Sequence, residues 1–253
     1  MSSSTQKSRL LCRGIAFAFL LVTVLPEAMA ETFIVVVNHA PPYRIVEPIG
    51  GRKKFSGFYV EIANEMARRA NMDLQYVERP FKRALSSMKD GSADIMLGPN
   101  RTSKREQFMF YLEQALPREK KRFYLKPDAA DILRYEDLKD QTVAVLRGAV
   151  YFERFDTDQT LIKEKVNDYE SGLKMVARDR LNTVIIPELL GDYLIKNFGF
   201  NLKKASLSYE GRPSYIAISK QSFLARKKDY LNSILGEMKN DGTFQKLLGS
   251  KRE

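Results

Sequence analysis

From residue 33 onward, short apolar runs alternate with stretches whose apolar residues recur at helical spacing, and that alternation confines the chain to an α/β architecture. Residues 33–37 are all apolar and β-branched after the first, too few for a helix and suited to a strand buried on both faces. After a polar stretch containing glycines, residues 58–69 place Phe58, Ile62 and Met66, with Ala63 and Ala67, on one helical face. Residues 74–77 predict a strand, 81–89 a helix and 94–97 a strand, completing a βαβαβ unit. A second series runs strand 142–146, helix start 151–155, strand 161–166, helix 172–177, strand 183–186 and helix 189–197. Buried strands separated by helices predict parallel sheets with helices on both faces, and two such series predict two lobes.

The extended segment 122–127 lies between the two series and ends at a proline, while another strand-like run, 214–219, follows the second series. Helices are expected at 224–239 and 243–248, either side of Asn240-Asp241-Gly242. The chain therefore leaves the first lobe once and returns once. The expected organisation is lobe 1 over residues 31–123, lobe 2 over 124–216 and a return segment of lobe 1 over 217–253, with two crossover strands acting as a hinge. Ligand sites in open α/β sheets form beyond the carboxyl ends of the strands, so two facing lobes enclose a ligand cleft that can shut.

Residues 1–30 read as a secretory signal peptide rather than as part of the fold. Lys7, Arg9 and Arg13 precede the uncharged run 15–25, and Ala28-Met29-Ala30 puts small residues where a signal peptidase cuts. That run is too short to span a bilayer. Cys12, the one cysteine, precedes the apolar run and so is not placed as a lipid anchor; a mature chain starting at Glu31 then has none and is held by core packing alone. The formal net charge is +11, of which about +9 remains without the leader. Such a balance suits anionic ligands, acidic partner surfaces or solubility alone. No nucleic-acid motif accompanies Lys120-Lys121-Arg122 or Arg226-Lys227-Lys228, the densest basic clusters.

Several segments in this order resemble the bacterial extracellular solute-binding proteins of family 3, receptors that deliver amino acids and related solutes to ABC importers. They are Ala40-Pro41-Pro42-Tyr43, Gly57-Phe58-Tyr59-Val60-Glu61-Ile62, Ala84-Leu85 with Gly91-Ser92-Ala93-Asp94-Ile95, and Thr102-Ser103-Lys104-Arg105. Leu138 to Val145 with Arg147-Gly148, and Asp241-Gly242-Thr243, complete the set. Each is weak alone, and their order and spacing carry the resemblance. It implies a two-lobed periplasmic binding protein fold, a small anionic or zwitterionic ligand, an ABC permease as partner, a periplasmic location, a monomer, and no cofactor.

Thr102 and Arg105 follow the third strand closely, so a hydroxyl and a guanidinium would project into the cleft, and the guanidinium fork matches a carboxylate bidentately. The alternative is a surface ion pair of Arg105 with Glu106. The resemblance implies that Arg105 holds a ligand carboxylate with Thr102 assisting, that Asn100 contacts the ligand, and that Gly98 offers backbone. It also implies aromatic or apolar contacts from Tyr43, whose two preceding prolines hold its loop extended, and from Phe81 after Pro80. Core packing is the alternative for either ring, and Phe108, Phe110 and Tyr111 read as core or hinge.

The second series departs from the family pattern twice. After Arg147-Gly148, where a Ser or Thr pair is usual, stands Ala149-Val150, so carboxylate capture there would rest on backbone N–H groups. Where an Asp usually faces the ligand's ammonium stands Pro187, followed by Glu188. Either Glu188 substitutes, or there is no ammonium to hold; its other reading is an acidic residue in the first turn of a helix. His39, the one histidine, has no cysteine or nearby carboxylate in sequence to suggest a metal or nucleophilic site. Two functions follow: a receptor performing no chemistry, or an exported enzyme on the same fold resembling cyclohexadienyl dehydratases, with Glu188 as its acid.

Overall fold

The computed structural model describes residues 31–114 and 116–249; the expected leader, with Cys12 and the cut after Ala30, lies outside them. In chain order the first lobe contains β1 (Glu31–Val37), a hairpin of β2 (Ile45–Ile49) and β3 (Arg52–Ser56), α1 (Phe58–Arg69), β4 (Met72–Glu78), α2 (Phe81–Asp90), β5 (Ile95–Asn100), α3 (Ser103–Glu106) and β6 (Met109–Tyr111). The second contains β7 (Lys120–Leu125), β8 (Thr142–Leu146), α4 (Glu153–Thr157), β9 (Ile162–Val166), α5 (Tyr169–Ala177), β10 (Thr183–Pro187), α6 (Glu188–Phe198) and β11 (Lys203–Glu210). The chain then returns through β12 (Ser214–Ser219), α7 (Lys228–Asn240) and α8 (Thr243–Gly249).

Two five-stranded sheets result, ordered β4-β1-β5-β12-β6 and β11-β7-β10-β8-β9. β7 belongs wholly to the second sheet and β12 wholly to the first, so the crossings fall between Tyr111 and Lys120 and between Glu210 and Ser214. They are laced together: Leu116 N donates to Ser214 O at 2.8 Å and Gly211 N to Glu119 O at 2.9 Å.

The sheets are mixed rather than parallel throughout. β1 pairs in parallel with β4 and β5, and β8 in parallel with β9 and β10. β12 runs antiparallel to β5 and β6, and β7 antiparallel to β10 and β11. The cause is the crossings: a strand that enters its lobe at the cleft end must run away from the cleft, against strands whose carboxyl ends point towards it.

Within each sheet the first βαβαβ unit has its first strand between the second and third. Successive crossovers therefore move in opposite directions, and because each is right-handed the helices fall on opposite faces. The reversal leaves a crevice at the carboxyl ends of the first and third strands, β1 and β5 in one lobe, β8 and β10 in the other. The strands bordering it are apolar because both faces are covered: Val35 to Val37 and Val184 to Ile186 are almost wholly excluded from solvent. One buried cluster takes side chains from both lobes, including Leu97, Leu146, Tyr169 and Leu190, so the lobes are in contact.

Candidate functional site

The crevices of the two sheets face each other across a small cavity of about 50 Å³. The first lobe supplies Asn38, Tyr43 and Arg44 after β1, Phe81 at the start of α2, and Gly98 and Asn100 of β5. Leu146, Ala149 and Val150 at the end of β8, Tyr169, Pro187 and Leu190 come from the second, and Glu119, Lys121, Arg212 and Ser214 from the crossings or the strands they feed. Of the residues singled out in the sequence, Tyr43, Phe81, Gly98, Asn100, Ala149 and Val150 are thus brought together, while Thr102, Arg105 and Glu188 do not line this cavity.

Arg105 lies just behind the wall. Its backbone is set by α3, which Thr102 caps, the Thr102 Oγ1 accepting the Arg105 N–H at 3.3 Å. Thr102 therefore positions Arg105 rather than facing the cleft. The guanidinium donates from Nη1 to Asn100 O and from Nη2 to Gly148 O, both at 2.8 Å, and lies 5.5 Å from the centre of the Phe81 ring. Since Gly148 belongs to the second lobe, Arg105 ties the lobes together. It is 5% exposed and forms no ion pair with Glu106, which pairs instead with Arg101 at 2.5 Å. Burial pushes the Arg105 pKa below its ordinary value.

The loop after β1 turns instead of running extended. Ala40 and Arg44 exchange backbone hydrogen bonds at 2.8 and 3.0 Å, and the Pro41–Pro42 peptide is cis. Tyr43 packs edge-on against Phe58 and tilted against Tyr59, so its ring is both core and cavity wall. Arg44, which follows, is buried; its Nε donates to Asn38 O at 3.3 Å and its guanidinium lies 5.5 Å from the Tyr59 ring centre. Gly98 makes room for it, at a φ of 81°: a Cβ there would come within 3.0 Å of both the Arg44 guanidinium and the Tyr59 ring.

Polar groups at the crossings tie the two connecting segments to the first lobe. Tyr59 Oη donates to Glu119 Oε1 at 2.8 Å and sits 3.2 Å from Ser214 Oγ, joining both crossings to α1. Asn100 Nδ2 donates to the carbonyls of Arg212 and Pro213 at 3.1 and 3.2 Å, which commits its side chain to the second crossing. Tyr111, buried, donates to Asn100 O at 3.1 Å, whereas Phe110 on the same strand is exposed and Phe108 only partly buried.

In the second lobe, the Ala149 N–H donates to Leu146 O at 2.9 Å, leaving the Val150 N–H as the one of the two without a partner among the described residues. Helix α4 begins three residues later, at Glu153. Glu188 opens α6 and accepts from Arg122 at 3.0 Å and from Lys204 at 3.2 Å, lining a neighbouring cavity with Tyr43, Arg118 and Asp192. No carboxylate of the second lobe lines the cleft cavity, which contains Glu119 from the first crossing. Arg44, Glu119, Lys121 and Arg212 were not foreseen in the sequence; a basic residue directly after a turn that closes on the first strand's end was the one local signal, at Arg44. Among the described residues no cluster of His, Cys, Asp and Glu could hold a metal ion, and no helix is long and apolar enough to cross a membrane.

Two lobes, two crossings and a polar cleft at both switch points define a two-lobed binding protein. The profile of the bacterial extracellular solute-binding proteins, family 3, matches residues 33–250, and the chain belongs to that family. It is 25% identical to the probable amino-acid-binding protein YxeM of Bacillus subtilis (strain 168), over 77% of this chain and 75% of that one. It is 26% identical to the histidine-binding periplasmic protein of Escherichia coli (strain K12), over 82% and 83%. Among solved structures, an ancestral arginine-binding protein bound to arginine superposes with a TM-score of 0.74 at 21% identity, covering 89% of this chain and all of that one. A histidine kinase sensor domain with similarity to periplasmic binding proteins gives 0.76 at 17% identity, covering 88% and 96%. These likenesses show the fold.

Proposed function

We propose that the protein is an exported periplasmic receptor that captures a small carboxylate-bearing solute between its lobes and delivers it to an ABC-type permease, without performing chemistry. The observation that carries this reading is the cleft itself, enclosed by the switch points of two sheets and closed by a guanidinium, Arg105, on a carbonyl of the opposite lobe. A ligand carboxylate offers that guanidinium a charged, bidentate acceptor in place of the neutral Gly148 carbonyl, so ligand and closure compete for and then share one group. The relatives named as amino-acid-binding and histidine-binding proteins support a solute of that size and chemistry. The enzyme reading loses its candidate acid, because Glu188 is held by Arg122 and Lys204 outside the cleft cavity.

Export by a leader cut after Ala30 belongs to the same proposal, and mass spectrometry of the periplasmic protein should find its N-terminus at Glu31. The test of binding is a thermal-shift screen of amino acids, dicarboxylates and amines, in which a ligand at about 100 times its Kd adds roughly 2.7 kcal/mol of stability. Arg105→Ala should then weaken the identified ligand about 30- to 4,000-fold, from a loss of roughly 2–5 kcal/mol when a buried charge loses its partner. Arg105→Lys should recover part of it, since a point charge lacks the fork. Unchanged affinity in Arg105→Ala would refute the assignment.

A further inference from the structure

We propose that the ligand is a short-chain dianion, held at one acid group by Arg105 and at the other by Arg44; this rests on the receptor reading above. The buried cationic side chains among the described residues are Arg44, Arg105 and Lys121, and all three lie at the cleft. Lys121 has a counter-charge, Glu119, at 3.5 Å. Neither Arg44 nor Arg105 has a carboxylate within ion-pair distance among the described residues. A buried charge without a counter-charge is costly; Arg44 lines the cavity and Arg105 lies behind its wall, bonded to two carbonyls, so a ligand bringing two negative charges would give each a partner once Arg105 turns from Gly148.

Arg44 is no ordinary core arginine. Its Nε is bonded, but its two terminal nitrogens make no hydrogen bond among the described residues, and they are not sealed within the core. Arg44 is also among the residues that line the cavity. The glycine at position 98 keeps that placement free, since any side chain there would strike the guanidinium. Beside it, Asn38 Oδ1 is a buried acceptor without a partner, and Asn38 also lines the cavity, so an amino or hydroxyl substituent on the ligand would find an acceptor.

The placement favours a short ligand. Arg44 packs on Gly98 and Arg105 bonds to Asn100, two residues further along β5, so the two anchors approach neighbouring points of one strand. Short dicarboxylates such as glutarate suit two anchors so placed, and Arg44, Lys121 and Arg212 against the single carboxylate Glu119 give the cavity an excess of positive charge for a dianion to neutralise.

The test compares glutarate with its monoamide, and L-glutamate with L-glutamine, by calorimetric titration of the purified protein and of Arg44→Met, Arg44→Lys and Arg105→Ala. The diacids should bind, and converting one carboxylate to an amide should weaken binding about 10- to 150-fold. Arg44→Met should bring the diacid down to the amide's affinity while leaving the amide unchanged, and Arg44→Lys should keep part of the preference. Amides binding as tightly as the acids in the parent protein would overturn the proposal whether or not Arg44→Met folds. So would an Arg44→Met protein with an unaltered acid-to-amide ratio. If the amides bind, depend on Arg105 and ignore Arg44, the dianion is wrong and the receptor reading stands. If neither series binds while a cationic or neutral solute does, both fall.

Discussion

Gly191 and Gly236 occupy helix interiors, α6 and α7, where replacing glycine by alanine ordinarily stabilises a protein by about 0.5–1 kcal/mol through the unfolded chain's lost freedom. Their surroundings make the same substitution act in opposite directions. At Gly236 a Cβ meets nothing within 4 Å, so the ordinary gain should appear undiminished. At Gly191 it would sit within 3.0 Å of the Tyr124 ring. Tyr124 is fully buried on β7, and its hydroxyl lies 2.9 Å from both the Glu188 carbonyl and Asp192 Oδ1, so the ring cannot withdraw without breaking those contacts. Overpacking costs about 1–3 kcal/mol and a displaced hydroxyl about 0.5–1.5 kcal/mol more. Set against the helix gain, Gly191→Ala should lose about 0.5–4 kcal/mol. For a chain of this size each kcal/mol shifts Tm by about 2–4 °C, so differential scanning calorimetry should show a fall of about 1–16 °C for Gly191→Ala and a rise of about 1–4 °C for Gly236→Ala. A Tm for Gly191→Ala equal to or above the parent's would refute the claim that Tyr124 is fixed against α6.

Glu188→Gln should leave affinity for the identified ligand within about threefold, because Glu188 is bonded to Arg122 and Lys204 and faces another cavity; a large loss by calorimetric titration would instead place it against a ligand cation. The lone histidine gives an unambiguous NMR titration. Burial holds the His39 pKa below the usual 6.5 against the opposing pull of Glu78, Glu170 and Glu47 and with the help of Arg44, and its Nδ1 accepts the Val46 N–H at 3.1 Å, which a protonated ring could not do. The unfolded chain therefore takes the proton first, so stability due to neutral His39 is complete above about pH 6.5 and declines as pH falls below it; a measured pKa above 6.5 would contradict this.

The strands that were plain in the sequence are those covered on both faces, where burial leaves an uninterrupted apolar run: β1, β8 and β10 are the clearest. What escaped lies at the margins. The hairpin β2–β3 carries Pro48 in one strand and Arg52-Lys53-Lys54 in the other and is largely exposed, so it lacks apolar alternation, although Gly50-Gly51 between two strands is a turn signal. β11, an edge strand with one partner, reads as polar for the same reason. The site divides similarly. Tyr43, Phe81, Gly98, Asn100, Ala149 and Val150 were implied by the resemblance to the family, and they line the cavity, in keeping with the tendency of ligands to meet the carboxyl ends of strands. Glu119, Lys121 and Arg212 reach it through the crossings, whose course depends on how two distant parts of the chain pair, and no local pattern encodes that. For Glu188 the first-turn reading describes its place on α6, but its partners on β7 and β11 come from strand neighbours far away in sequence.

The position of β12 has a consequence for the order in which the molecule can assemble. It fills the gap between β5 and β6, pairing with both, so the first sheet stays split, with two open strand edges, until residues 214–219 are present. The second sheet draws on one uninterrupted stretch, Lys120 to Glu210. A chain that emerges N-terminus first can therefore complete its second lobe before its first, with the long-range β5–β12 pairing as a slow, late step. The cleft, which needs both lobes, comes into being last, and a chain halted before β12 has no complete cleft however well its second lobe has formed.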